Sequence, residues 1–523
     1  MQPFPTIGEE YADYLRDESR MAGTADTISF PKTEADLSQT LARLFEGQVP
    51  VTFQGARTGV AGGAVPRGGH VVNFSRMNRI LGLRRDEARG HFLARVEPGL
   101  VLSGFRKAIL EGVFDAADWS SESKRAAEDF RRSGIWFFPP DPTETSAAAG
   151  GMVACNASGA CSFRYGPTRH FVESLRLVLS DGATLSLRRG REKAAGRHYS
   201  LRCENGRALS GQLPSYRMPA VKNASGYYAE DDMDMVDLLV GSEGTLAAVL
   251  EAEFRLIPAP GAVWAVMSFF PTEAGALHFV REVRALAPRP AAIEYFDAGA
   301  LSLLREQKRL HSAFAALPDT PEGQWSSVYV EYHGANDDEV SEGIERMTAA
   351  MVACGGNEDL AWMATAPAEL ERLKTFRHAV PEAVNLQIDA RRKTAPGITK
   401  LGTDMAVPDR SLEEVMALYR AGLQAERLDH AIFGHAGNNH LHVNILPRNA
   451  DDYARGRRLY LEWAKAVVGM GGTISAEHGV GKLKVALLAE MYGPAGIEEM
   501  RTVKRVWDPS SLLNPGTLFA PAP

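Results

Sequence analysis

Residues 138–159 read FPPDPTETSAAAGGMVACNASG, a Pro-rich entry followed by a run of small residues. Pro139, Pro140 and Pro142 stiffen the entry. The small residues that follow leave few side chains to fill the space in front of them, so the segment reads as a backbone wall against a flat ligand. Tyr165-Gly166 closes it. Two glycine-rich turns flank this wall: QGARTGVAGG at 54–63 and GSEGTL at 241–246. The first could bring backbone amides close to a pyrophosphate. It matches neither G-x-G-x-x-G nor a P-loop, so a Rossmann site and ATP use are unsupported. On its own, a glycine-rich surface turn is the plainer reading.

Further along, residues 431–446 read AIFGHAGNNHLHVNIL. As a strand, its second half puts His440, His442 and Asn444 on one face and Leu441, Val443 and Ile445 on the other. His435 falls in a glycine-bracketed loop expected to fold back over the polar face. A second cluster, SAEHGVG at 475–481, adds Glu477 and His478. Four of the 13 histidines fall in these two short stretches, which weighs against an incidental solvated face. Two imidazoles plus a carboxylate with open positions suit a catalytic divalent metal such as zinc.

At 523 residues the chain is long enough for two or three domains, and 45% hydrophobic with 24% charged residues is ordinary for a globular protein. A net charge of −7 argues against a general nucleic-acid binder. No apolar run approaches the roughly 20 residues that span a bilayer, and the acidic N-terminus lacks a signal pattern. A cytoplasmic location is the expectation, with peripheral attachment at the inner membrane left open. Cys155, Cys161, Cys203 and Cys354 are too few for a disulfide scaffold, and none forms a C-x-x-C series, so they read as packed thiols. An iron–sulfur cluster, if electrons leave toward one, lies on another chain.

Apolar spacing predicts a helix over 37–45, then a short strand at 49–53 and the glycine loop to Gly69. The charged stretch 115–132 reads as a surface helix or lid, and 188–219 as a surface insertion. Strand-like runs at 175–179 and 248–256 precede a plausible linker at Pro258–Pro260, and 326–332 reads as a further strand. Ser411 and Glu414 make a capping box that opens a helix to about Leu423. A turn-rich end follows through Asn514-Pro515-Gly516.

Six ordered segments (55–63, 139–159, 241–246, 435–444, 477–482 and 514–516) make the chain resemble the FAD-binding, vanillyl-alcohol-oxidase or PCMH-type oxidoreductases. The branch is that of D-lactate dehydrogenase, the glycolate oxidase flavin subunit and D-2-hydroxyglutarate dehydrogenase. The match runs from about Lys32 to Leu518. It implies an α+β fold: a two-subdomain PCMH-type FAD-binding domain at 25–260, then a cap with antiparallel sheet and helices at 261–519, its tail returning to the flavin. It also implies FAD held mainly by backbone, by Gly55, Ala56, Arg57, Thr58, Gly59, Gly62 and Gly63 in the first loop. Pro140, Asp141, Thr145, Gly150, Gly151, Ala154, Asn156, Gly159 and Tyr165 belong to the second segment, and Glu243 and Asn514 complete the set. Neither early loop carries a tethering histidine, so the flavin is expected to be non-covalent. Ala56-Arg57 replaces the family's usual glycines and Cys155 a common threonine; Arg57 reads equally as a phosphate partner or a solvent-facing side chain.

For chemistry, the resemblance implies His435, His442 and Glu477 as metal ligands and His478 as base. His440 stands where relatives carry asparagine, and Asn438-Asn439 where they carry Asp-Gly, which leaves the substrate contacts of His440 open. Arg377 matches an arginine that binds the substrate carboxylate. Lys400 is a weaker match, and Pro381 replaces a threonine of relatives. The implied reaction is metal-assisted oxidation of a D-2-hydroxy acid, D-lactate first, with hydride passing to flavin and electrons to a quinone, cytochrome, electron-transfer flavoprotein or iron–sulfur partner subunit. Glycolate and D-2-hydroxyglutarate are alternatives, as is a flavin subunit of a larger complex; a homodimer is left open. The rival class, alkyl-dihydroxyacetonephosphate-synthase-like transfer, carries a histidine run where this chain has Ala476-Glu477-His478.

Overall fold

The computed structural model describes residues 3–520. The first layer is a small parallel sheet in the order Thr27–Ser29, His70–Asn73, Val51–Gln54. The helix Glu34–Glu46 packs Leu37, Leu41 and Leu44 against it, with Phe45 only half-buried. Its start is fixed by a reciprocal box in which Thr33 and Asp36 cap each other's backbone amides. The glycine loop runs from the end of Val51–Gln54 toward His70, as the spacing predicts.

A six-stranded antiparallel sheet follows, in the order Ile80–Asp86, His91–Val96, Ala248–Pro258, Val172–Val178, Thr184–Arg188. The short strand Trp136–Phe137 pairs with the far end of Ala248–Pro258. The charged stretch 115–132 does not form a lid. Its helix, Ser121–Arg132, buries Ala126, Ala127 and Phe130, and the Phe130 ring meets Phe92 edge-on at 5.1 Å. Within 188–219, strands His198–Arg202 and Ala208–Gln212 make a hairpin with one buried side. That side docks on the helix Val485–Trp507, whose Trp507 indole donates to the Tyr199 hydroxyl at 3.1 Å.

Four residues after Pro258, at Ala262, the chain enters an eight-stranded antiparallel sheet. Its order is Trp362–Ala364, Ala262–Phe270, Ser326–Gly334, Ala292–Phe296, His430–His435, His440–Ile445, Leu401–Gly402, with Met405–Ala406 also pairing to His440–Ile445. All nine positions of Ser326–Gly334 are buried, because helices cover both faces of the sheet. The architecture is thus α+β, a two-part strand-rich half followed by an antiparallel cap. Among the described residues, no helix is long and apolar enough to cross a membrane.

Two local expectations are corrected. The helix predicted from Ser411 exists as Leu412–Glu426, but Ser411 makes no side-chain cap; a 3-10 turn at Asp409–Ser411 leads into the helix instead. His435 is not in a loop folded over the strand. It ends the strand His430–His435 and pairs directly with His440 across a tight turn. Asn439 takes a φ of 51° in that turn, a conformation asparagine tolerates better than most side chains.

Candidate active site

The two halves enclose a cavity of about 1180 Å³. One wall comes from the first loop (Gly55, Ala56, Arg57, Thr58, Gly59, Gly63), from Gly150, Gly151 and Ala154, and from Glu243 and Asn514. The cap adds Arg377, Lys400, His435, His442, Glu477 and His478 to the lining. The expected site residues Gly62, Pro140, Asp141, Thr145, Asn156, Gly159, Tyr165 and His440 are not on its lining.

Several of the latter shape the wall from behind. Asp141 accepts from the Cys161 amide at 3.0 Å, and a Cβ on Gly159 would lie 1.9 Å from the Asp141 carbonyl oxygen, so only glycine closes that turn. Asn156, with a φ of 52°, ends the helix Ala149–Cys155 and accepts from the Arg169 amide at 3.0 Å. Tyr165 lies away from the cavity, its hydroxyl 2.8 Å from His333 Nδ1. In the first loop, the Gln54 side chain donates to the carbonyls of Tyr14 and Ala64 at 2.7 and 2.8 Å and holds the loop's two ends. Arg57 stacks its guanidinium over the Tyr14 ring, 4.4 Å from the centroid, an outcome its sequence context did not suggest.

The tail reaches this wall by hydrogen bonds. Asn514 accepts from the Phe53 amide at 2.8 Å and donates to the Glu243 carbonyl at 2.7 Å. The Glu243 carboxylate accepts the amides of Val480 and Gly481 at 2.7 and 2.8 Å. Burial nevertheless pushes its pKa up to about 7. Glu243 therefore latches the Glu477 loop to the first half.

On the cap wall, His435, His440, His442 and Glu477 each offer one donor atom, and these atoms lie within 4.8 Å of one another. Each imidazole has its other nitrogen beside an acceptor. His435 Nδ1 is 2.7 Å from Glu294, His442 Nδ1 is 2.8 Å from the Thr403 carbonyl, and His440 Nε2 is 2.8 Å from Asp404. Second partners of this kind fix tautomer and ring orientation at metal centres, so the donor set fits a divalent ion. His435 Nε2 sits 3.1 Å from Glu477. Burial alone would lower the His435 pKa, but the Glu294 and Glu477 carboxylates raise it to about 9. Burial pushes His442 well down and His440 to about 4. Burial opposes ionisation of Glu477, yet Lys222 and His435 hold its carboxyl well below the usual range.

Lys222, Glu294 and Asp404 have no signal in the motif stretches. The Lys222 ammonium is 3.4 Å from Glu477 and donates to the Gly159 carbonyl at 3.2 Å. Asp404 accepts from the His478 amide at 3.0 Å and from Lys484 at 2.6 Å. The His478 ring stacks on His442 with centroids 5.5 Å apart and faces the cavity. Burial would depress the Arg377 pKa, but Glu294, Tyr329, Glu331 and Asp141 raise it, so its cation is secure. Burial and the nearby Arg20 lower the pKa of Lys400, which lies at the cavity edge.

The flavin fit is carried by the glycine wall. A Cβ on Gly63 would project to 3.8 Å from Glu243, and Gly151 and Gly59 face open space, which leaves backbone accessible to a ligand's phosphates.

Comparison with known proteins agrees. The family described as FAD linked oxidases, C-terminal domain, matches residues 259–518, and the FAD binding domain family matches 25–125 and 126–188. The chain is 27% identical to a D-lactate dehydrogenase of Anaerostipes hadrus over 98% of this chain and 94% of that protein. It is 27% identical to glycolate oxidase subunit GlcD of Bacillus subtilis, over 95% and 89% of the two chains. A D-2-hydroxyglutarate dehydrogenase of Xanthomonas citri pv. viticola is 29% identical, over 90% and 84%. A solved alkyldihydroxyacetonephosphate synthase shares the fold with a TM-score of 0.60 and 15% identity, over 95% of this chain and 77% of that one. With both flavin-binding and oxidase regions matched in order, the chain belongs to the FAD-linked oxidoreductases of the D-lactate, glycolate and D-2-hydroxyglutarate dehydrogenase group.

Proposed function

We propose that this protein oxidises a D-2-hydroxy acid, D-lactate first, to the 2-oxo acid with the help of a divalent metal such as zinc. The flavin half is taken as 25–260 and the cap as 261–519. The observation that carries the reading is that His435, His442, Glu477, His478 and Arg377 line the same cavity as the glycine loops, with donor atoms of His435, His442 and Glu477 within 4.8 Å of one another. When bound, non-covalent FAD accepts a hydride and the divalent ion acidifies the substrate hydroxyl.

The chain's own residues supply the rest. Gly55 to Gly63, Gly151 and Asn514 shape the flavin wall. His435, His442 and Glu477 are assigned as metal ligands, oriented from behind by Glu294 and the Thr403 carbonyl. Arg377 takes the substrate carboxylate as a fixed cation in a crowded setting. His478 takes the hydroxyl proton at its cavity-facing edge while Asp404 holds its backbone amide. The substrate thus loses one proton to His478 and one hydride, with its two electrons, from Cα to the flavin, and leaves as the 2-oxo acid.

Lys400 and Arg457 line the same cavity, which favours D-2-hydroxyglutarate as a second reading because its distal carboxylate would need a cation. Electrons are proposed to pass on to a quinone, cytochrome, electron-transfer flavoprotein or iron–sulfur partner subunit. The test is anaerobic mixing of the purified flavoprotein with D-lactate, L-lactate, glycolate and D-2-hydroxyglutarate while oxidised-flavin absorbance is followed. Fast bleaching by a D-acid and not by L-lactate supports the reading. Bleaching by none of them, with flavin and metal present, moves the function to alkyl transfer or another substrate class.

A further inference from the structure

The cavity-lining set leaves one imidazole unexplained. His440 is fully buried behind the cavity lining and does not itself line it, so it cannot meet substrate directly. Its ring lies 4.4 Å from that of His442 and 5.4 Å from that of His435, centroid to centroid. Its Nε2 faces Asp404 at 2.8 Å. Neither ring nitrogen completes a hydrogen bond, and Nδ1 lies 3.7 Å from Glu477 Oε2. A buried imidazole nitrogen without a partner is costly, and its donor atom falls in the same 4.8 Å group as those of the other three residues. A role confined to packing would leave both buried ring nitrogens without a partner.

We propose that His440 is a third imidazole ligand, so that the metal centre of this chain is a three-histidine, one-glutamate site. The proposal rests on the metal reading above and extends it. Asp404 then serves His440 as Glu294 serves His435, a carboxylate on the far ring nitrogen. It also joins the ligand set to the base, since the same carboxylate accepts from the His478 amide. Four protein donors leave two positions on a six-coordinate ion, the number of oxygens that a 2-hydroxy acid presents from its hydroxyl and carboxylate. The site would accordingly favour ions that readily take six ligands, such as Mn²⁺ or Co²⁺, over an ion confined to four.

The test uses the full-length flavoprotein, stripped by chelation and reloaded with Co²⁺. X-ray absorption at the cobalt edge counts imidazole ligands, and equilibrium dialysis measures retention. Wild-type protein is expected to show three imidazoles. His440→Asn is expected to show two and to bind Co²⁺ at least about tenfold more weakly while keeping its flavin. Two imidazoles in the wild-type protein, or unchanged affinity and count in His440→Asn, would overturn the assignment, and the wild-type count stands even if the variant does not fold. His435→Asn separates the two levels of the claim. If it loses Co²⁺ while His440→Asn keeps it, only the role of His440 falls. If wild-type protein retains no Co²⁺, the metal reading falls with it.

Discussion

At Glu477 four groups meet one carboxylate: the Lys222 ammonium and the Ser158 hydroxyl, each at 3.4 Å, His435 Nε2 at 3.1 Å and His440 Nδ1 at 3.7 Å. Such convergence is expensive for burial alone and makes sense where a charged ligand set must be preassembled. Two predictions belong to this scale. His478→Gln should slow flavin reduction by roughly 10²–10⁴-fold, the span typical of a lost general base, while flavin and metal contents stay at wild-type levels. Rapid-mixing absorbance checks it, and wild-type reduction rates would remove His478 from the chemistry. Arg377→Ala should lower kcat/KM for the hydroxy acid by about 10–100-fold, the equivalent of the ~1.5–3 kcal/mol of a charge-assisted hydrogen bond. Steady-state kinetics with an artificial acceptor reads this, and an unaltered kcat/KM would send the carboxylate to another cation such as Lys400. His435, His442 and Glu477 were legible in the sequence because they sit in short, dense motifs. Lys222 and Glu294 were not, since they reach the site from 255 and 141 residues away through tertiary packing.

Among the elements, the strand pairing at residues 430–445 was half legible. Alternation placed His440, His442 and Asn444 correctly, but periodicity could not show that His435 ends the partner strand, because a glycine-rich stretch carries no alternation of its own. Ser411 misled for a related reason: a capping pattern states a preference, and the preceding turn satisfied the backbone another way. The small parallel sheet yields a pH prediction. His70 is buried between the hydroxyls of Thr27 and Ser29, at 2.7 and 2.8 Å from its two ring nitrogens. Burial, with Arg43 nearby, lowers its pKa from 6.5 to about 3. The unfolded chain therefore takes up a proton as pH falls below 6.5 while the folded one does not. Stability from neutral His70 is complete above that value and drains away on acidification toward pH 3, by at most about 1.4 kcal/mol per pH unit. His70→Gln should flatten that acid limb in thermal melts from pH 7 to 4, and an unchanged slope would exclude His70 as its source.

Over the whole molecule, the two halves are joined at the cavity by polar bonds. Glu243 holds the Val480 and Gly481 amides, Lys482 donates to the Gly63 carbonyl at 3.1 Å, and Asn514 bridges Phe53 and Glu243. Asn514→Ala should cost about 1–3 kcal/mol by stranding a buried amide and carbonyl, and it should weaken flavin retention as well. A melt compared with flavin release on dilution checks both, and loss of stability without flavin loss would make the tail a structural clasp only. The order of the motifs made the α+β plan legible. The cavity was not, because its enclosure depends on where the cap sheet lies against the glycine wall. The most direct test of metal-assisted hydroxy-acid oxidation is single-turnover flavin bleaching by D-lactate in the protein as purified, after chelation, and after metal is restored. Bleaching that stops on chelation and returns with a divalent ion is the predicted result. Bleaching at an undiminished rate in metal-free protein would contradict it.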